Sequence, residues 1–152
     1  LNITRKEAKE YIDNYLENYE MVDKYMEDIV EIGKKKGYVE TILNRRRYIP
    51  ELKSRNFNVR SFGERVAMNT PIQGSAADII KVAMVRVHKE LKNRNLKSQL
   101  ILQVHDELLI ETHKDELEEV IQMMQDIMEN STTLDVPLKV EINVGDNWYE
   151  TK

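Results

Sequence analysis

Two apolar stretches, residues 99–104 and 107–112, are separated only by His105 and Asp106. Two residues cannot carry a chain across a sheet, so the stretches must be neighbouring antiparallel strands joined by a tight turn. A further strand is expected near the end of the chain. There Leu138, Val140, Ile142 and Val144 alternate with Lys139, Glu141 and Asn143, the period of a strand with one buried face. A second hairpin is expected over residues 38–49, where Val39, Thr41 and Leu43 alternate with polar neighbours and Asn44-Arg45 can turn.

The remaining segments read as helices. Thr4 caps the first, and Glu7 three residues on completes a capping box. Ala8, Ile12, Tyr15, Leu16 and Tyr19 follow at helical spacing. A second helix begins near Val22 and ends in Lys34-Lys35-Lys36 before Gly37; the cations suit the C-terminal dipole and the glycine a left-handed cap. Residues 50–57 read as loop. A helix over about 58–69 is expected to stop near Pro71, because the residue before a proline disfavours helical geometry. Ser75 then caps another, running to about Leu91 and apolar enough to be buried. Thr112, with Asp115 as box partner, is expected to cap a last helix carrying Leu117, Val120, Ile121, Met124, Ile127 and Met128. The tyrosines at 11, 15, 19 and 25 read as core packing. The order is helices, hairpin, helices, then β-β-α-β: an α+β fold with an antiparallel sheet backed by helices.

With 152 residues, 41% hydrophobic and 33% charged, the chain can bury a core and is not of disordered composition. No apolar run approaches the length needed to span a bilayer. The first residues have no signal-peptide character, and without an initiator Met the chain reads as a piece of a longer one. The absence of cysteine excludes disulfides and thiolate metal sites and fits an intracellular setting. The net charge of -4 speaks weakly against nucleic acid, but its distribution is uneven. Between Asn44 and Arg65 the bases Arg45, Arg46, Arg47, Lys53, Arg55, Arg60 and Arg65 face only Glu51 and Glu64, whereas residues 106–129 are strongly acidic.

Three groups of residues can carry chemistry. Asp106 and Glu107 put two carboxylates beside His105 at a hairpin tip, an oxygen donor set that hard divalent cations accept; an exposed polar turn has the same composition. Arg65, Asn69 and Gln73 are spaced by four, so a continuous helix would put them on one face, inexactly for Gln73 if Pro71 intervenes. Side chains of these types can read the acceptors of a minor groove with little regard to base sequence; they are equally the residues of a solvated helix face. Arg45, Arg46 and Arg47 beside Tyr48 suit phosphate contacts or a solvated basic turn. His88 and His113 have no metal-binding spacing, and there is no glycine-rich phosphate loop or nucleophile elbow.

The run RVAMNTPIQGSAADIIK from Arg65 to Lys81, with QVHDEL following so that His105 lies 32 positions after Gln73, resembles the family A DNA polymerases. GYVETILNRRRYIPELKSRNFNVRSFGER (residues 37–65) and VPLKVEINVGDNWYETK (residues 136–152) resemble the bacterial members, so the resemblance covers essentially the whole chain. It implies that Asp106 is one of the family's two metal-binding catalytic aspartates, Glu107 its acidic neighbour, and His105 a residue near the primer terminus. It also implies that Arg65, Asn69 and Gln73 contact primer–template DNA in the minor groove. Residues 1–36 would be fingers-side helices and residues 37–152 part of the palm. Mg²⁺ would be the cofactor, and primer–template DNA and a deoxynucleotide the ligands. The other catalytic aspartate and the nucleotide-gripping helix would come from polymerase segments N-terminal to this chain. Glu20-Met21-Val22 stands where relatives often have a Pro-Gly turn. The implied setting is the bacterial cytoplasm, at the nucleoid. The expected activity is template-directed DNA synthesis by two-metal phosphoryl transfer, with the isolated chain inactive and prone to self-association. The competing class is a non-catalytic DNA-binding or assembly half of a split or degenerate polymerase. A stand-alone metal nuclease lacks a second carboxylate cluster.

Overall fold

The computed structural model describes residues 3–151. The chain forms two compact units, one ending at Gly74 and the other beginning at Ser75. No helix among the described residues is long and apolar enough to cross a membrane.

The first unit opens with α1 (Arg5–Asn18) and α2 (Glu20–Lys36). Thr4 and Glu7 make the expected capping box. Gly37, at φ 83°, caps α2 in the left-handed region that glycine enters without steric cost. β1 (Tyr38–Glu40) and β2 (Arg46–Tyr48) pair antiparallel, with Asn44 turning at φ 61°. The hairpin is therefore as expected, but with strands of only three residues. The expected loop after it contains a 3₁₀ turn at Pro50–Lys53. Val30, Val39, Ile49, Leu52 and Ala67 form the core of this unit. The tyrosines at 11, 15, 19 and 25, expected in the core, are not part of it, and all four are exposed. Tyr11 is 68% exposed, and no described residue of α1 is buried. Their spacing creates a stripe, but the stripe faces solvent.

α3 runs unbroken from Phe57 to Asn93, through Pro71. The expected stop near Pro71 and the cap at Ser75 are both wrong. Proline removes one backbone hydrogen bond and costs roughly 3 kcal/mol within a helix. Burial on both sides of it offsets that cost, with Ala67 in the first core and Ile80, Ala83, Val87 and Leu91 in the second. The latter half of α3 buries one side only, and Val85 is exposed.

In the second unit β3 (Gln99–Val104) and β4 (Glu107–Glu111) form the expected hairpin, with an irregularity between Leu100 and Leu102. α4 (Leu117–Glu129) buries Val120, Met123 and Met128 against α3, with Leu100, Leu108 and Ile110 packed alongside. Thr112 and Asp115 do not cap it. A 3₁₀ turn at Lys114–Glu116 intervenes, the Thr112 hydroxyl lies against the Ile110 carbonyl at 3.4 Å, and the helix has no side-chain cap.

Residues 138–144 are not in a strand. The alternation is real in burial as far as Ile142, since Leu138, Val140 and Ile142 are half-buried while Lys139, Glu141 and Asn143 are exposed, but Val144, expected on the buried face, is exposed. Alternation specifies a face; a strand also needs a neighbour's N–H and C=O groups, and no ladder reaches this segment among the described residues. The α+β class stands, but its sheets are two separate hairpins.

Candidate functional site

The tip of the β3–β4 hairpin is set by its register. Val104 pairs with Glu107 and Gln103 with Leu108, which leaves His105 and Asp106 as the whole turn. His105 takes φ 50°, the positive region a tight hairpin demands and non-glycine residues seldom enter. The Gln103 amide secures it, with Nε2 donating to the His105 carbonyl at 2.7 Å. Asp106 and Glu107 are both exposed. Neither side chain has a hydrogen bond or ion pair among the described residues. Two adjacent carboxylates on a fixed turn, without a protein cation, are oxygen donors free to meet an external one. The donor chemistry fits Mg²⁺ as part of a shell. No cluster of three or more possible metal-binding side chains forms among the described residues, so these two do not make a complete site.

The tip borders a broad hollow of about 1360 Å³ in the second unit. Leu108 and Ile110 of β4 line it, as do Leu138, Val140 and Ile142 of the extended segment. Ser131 lines it too, and its buried hydroxyl has no partner among the described residues.

In the first unit Arg65, Asn69 and Gln73 all lie on α3, which Pro71 does not interrupt. All three are exposed, and four-residue spacing on one helix keeps them on neighbouring turns. Asn69 and Gln73 have no partner among the described residues, while Arg65 Nη1 reaches only the Ser61 hydroxyl, at 3.1 Å.

The structure separates the three arginines that sequence alone treats alike. Arg45 Nη2 donates to the Gly74 carbonyl at 3.1 Å. Arg46 Nε bonds Glu40 Oε1 at 2.9 Å, which raises its already high pKa further. Arg47, opposite Val39 in the ladder, has no ion pair or hydrogen bond among the described residues.

The model of DNA polymerase family A matches residues 1–150. The chain belongs to that family. It is 58% identical to DNA polymerase I of Bacillus subtilis (strain 168) across 100% of this chain and 17% of that protein. With DNA polymerase I of Bacillus caldotenax the identity is 56%, again over 100% of this chain and 17% of the relative. Among solved structures, the POL domain of Pol1 from M. smegmatis, in complex with DNA primer-template and dNTP, matches with a TM-score of 0.95 and 46% identity. That match covers 98% of this chain and 26% of the other. The family A resemblance read from the motifs therefore holds, and the chain spans about 17% of the length of the relatives it matches.

Two supports of this family A chain escaped the sequence reading. The Glu116 carboxylate accepts from the backbone N–H groups of Lys97 and Ser98, each at 2.9 Å, and from the Ser98 hydroxyl at 2.6 Å. The Lys97 N–H, the Ser98 hydroxyl and the Ser98 N–H hold it at a pKa of about 2. Ser98 Oγ also accepts from His113 N at 3.0 Å, so one buried serine ties both ends of the hairpin to Glu116. The other support is Gly74, where a Cβ would stand 2.7 Å from the Thr41 methyl. A capping residue and a helix glycine have no local pattern that reveals such distant partners.

Proposed function

We propose that this chain is part of a template-directed DNA polymerase that joins deoxynucleotides to a primer 3′ end. In that reaction the primer 3′ oxygen bonds to the α-phosphorus of a deoxynucleoside triphosphate, the hydroxyl proton is lost, and pyrophosphate leaves. The observation that carries the reading is the pair of exposed, unpartnered carboxylates on the secured turn of a family A chain. Asp106 is the proposed metal ligand and catalytic group, Glu107 its acidic neighbour, and His105 the residue facing the primer terminus. Mg²⁺ held by Asp106 and Glu107, in a two-metal site completed by other polymerase segments, would supply charge stabilisation at the reacting phosphate. Arg65, Asn69 and Gln73 offer donors to the minor-groove acceptors that every base pair presents. Arg47 is the arginine best placed for phosphate, with Arg45 and Arg46 held by partners of their own. Fingers-side helices over 1–36, palm over 37–152 and a cytoplasmic setting at the nucleoid belong to the same reading.

The remaining polymerase segments would cover the hollow and the unpaired extended segment of the second unit. Without them, exposed Ile101 and Leu102 and an unpaired strand edge favour self-association of the isolated chain. Sedimentation should show concentration-dependent oligomers; a monomer at every concentration counts against this.

The function is tested by primer extension with template, Mg²⁺ and four deoxynucleoside triphosphates. Extension is expected from the full-length polypeptide and none from the isolated chain. Templated extension by the isolated chain, after removal of host polymerase, would overturn the partition of the site. No extension by the full-length polypeptide would overturn the function.

A further inference from the structure

The first hairpin has two faces of opposite character. Val39 faces the core at 1% exposure. On the other face the two-residue period gathers Tyr38 and Glu40 from β1 with Arg46 and Tyr48 from β2, as the cross-strand pairs Tyr38↔Tyr48 and Glu40↔Arg46. The tyrosine rings meet edge to face, 5.5 Å between centroids. The Arg46 guanidinium lies 4.7 Å from the Tyr38 ring centre and Lys36 Nζ 5.9 Å from it. Glu40 pairs with both cations, Arg46 at 2.9 Å and Lys36 at 3.8 Å.

Part of this cluster holds the hairpin together, since strands of three residues are marginal alone. That role needs Tyr48 only along the side that meets Tyr38. Yet Tyr48 is 69% exposed; its hydroxyl lies by the Arg46 guanidinium, and its ring stacks on no aromatic ring other than Tyr38 among the described residues. On the Tyr48 face of the hairpin Lys36 and Arg46 lie against its partner ring Tyr38, facing the single acid Glu40, while Arg47 pairs with Val39 on the other face. An open ring face beside net positive charge is complementary to a base that stacks and a phosphate that follows it. A paired base inside a duplex offers no free face, so the complement is an unpaired one.

We propose that Tyr48, on its Tyr38–Arg46 support, stacks an unpaired base of a DNA strand. This rests on the reading of the chain as DNA-handling and adds a site for single-stranded DNA next to the duplex contacts.

The test uses the full-length polypeptide and two labelled primer–templates, one flush-ended and one with an unpaired template extension carrying 2-aminopurine. The ratio of the two affinities and the quenching of 2-aminopurine are read for the unsubstituted protein and for Tyr48→Ala, Tyr48→Leu and Tyr48→Phe. Thermal melting of each variant reports folding. Expected is tighter binding of the extended template, with the ratio falling about fivefold or more for Tyr48→Ala, as loss of one stacking contact requires. Quenching should fall with it, and Tyr48→Phe should keep both. An unchanged ratio and quenching in a folded Tyr48→Ala protein overturn the stacking site and leave the cluster a hairpin support. Full rescue by Tyr48→Leu overturns it as well, since an aliphatic chain covers apolar surface but does not stack. If the unsubstituted protein binds neither DNA, the DNA-handling reading itself fails.

Discussion

The β1–β2 hairpin turns through residues 41–45, whereas β3–β4 turns through His105 and Asp106 alone. In the first hairpin the charges next to the turn find partners in their own unit: Arg45, in the longer connection, reaches Gly74, and Arg46 meets its cross-strand partner Glu40. The two-residue turn offers Asp106 and Glu107 nothing to fold back on, and they stand without protein partners among the described residues. Two neighbouring carboxylates in water repel each other modestly, because solvent and salt screen them. The comparison shows that counting charges in a hairpin says little about what it can bind. A charge already paired would have to lose its partner before meeting a ligand, whereas an unpaired one needs only to lose water.

The largest expected effect comes from removing an unpaired charge. In the full-length polypeptide, Asp106→Ala should slow the single-turnover rate of nucleotide addition roughly 10²- to 10³-fold, the scale of losing one group that stabilises developing charge. Affinity for primer–template DNA should stay within a few-fold. A near-normal single-turnover rate at ordinary Mg²⁺ would mean that the tip of the second hairpin is a polar turn and nothing more.

Next comes the attachment of the first hairpin to α3. Gly74→Ala improves helix propensity by about 1 kcal/mol. It also puts a Cβ 2.7 Å from the methyl of buried Thr41 and crowds Arg45 Nη2 at 3.4 Å. Overpacking of that kind costs about 1–3 kcal/mol, so a net loss of up to about 2 kcal/mol in denaturant unfolding is expected. A more stable Gly74→Ala protein would show that the hairpin moves aside freely.

Much of this is local, and local features were legible. The Thr4–Glu7 box, the Gly37 cap and both turns depend on residues within a few positions of each other. The position of the carboxylates at the tip was legible for the same reason, whereas that of Arg65, Asn69 and Gln73 on one helix was only partly so, because the expected stop near Pro71 left Gln73 off it. Pro71 misled because the burial that carries α3 through it lies in two cores assembled from distant segments. Residues 138–144 misled because alternation fixes a face without supplying a neighbour. The tyrosines of α1 misled because helical spacing does not say whether anything covers the stripe. The separate fates of Arg45, Arg46 and Arg47 were beyond reach, since Gly74 lies 29 positions from Arg45.

The base of the second hairpin gives an acid-dependent prediction. Glu116 has an ordinary pKa of 4.5 and is held at about 2 when folded. Its folded value lies below its unfolded one, so its contribution to stability is fully present above about 4.5. It is lost as pH falls from there toward about 2. Glu116→Gln keeps an acceptor but no charge. It should lower the melting temperature at neutral pH and flatten the fall between pH 4.5 and 2. An identical pH profile in the variant and the unsubstituted protein would mean that the Lys97 and Ser98 contacts do not bias folding.

The smallest effect separates two adjacent arginines and sharpens the comparison of the hairpins most. Each phosphate contact made by a cation releases counterions and steepens the salt dependence of DNA binding by about 0.9 in log–log slope. Arg47 has no partner within the described chain, so Arg47→Ala should reduce that slope by about one and weaken binding a few-fold at moderate salt. Arg46 is tied to Glu40 and lies over the Tyr38 ring. Arg46→Ala should therefore leave the slope nearly intact and instead lower the melting temperature slightly, through loss of an exposed ion pair and a cation–π contact. Affinity titrations of full-length variants from low to high salt, alongside thermal melts, read both quantities. Equal slope changes for the two would show that Arg46 leaves Glu40 on binding DNA, and the pairing seen here would then not decide which charges are available.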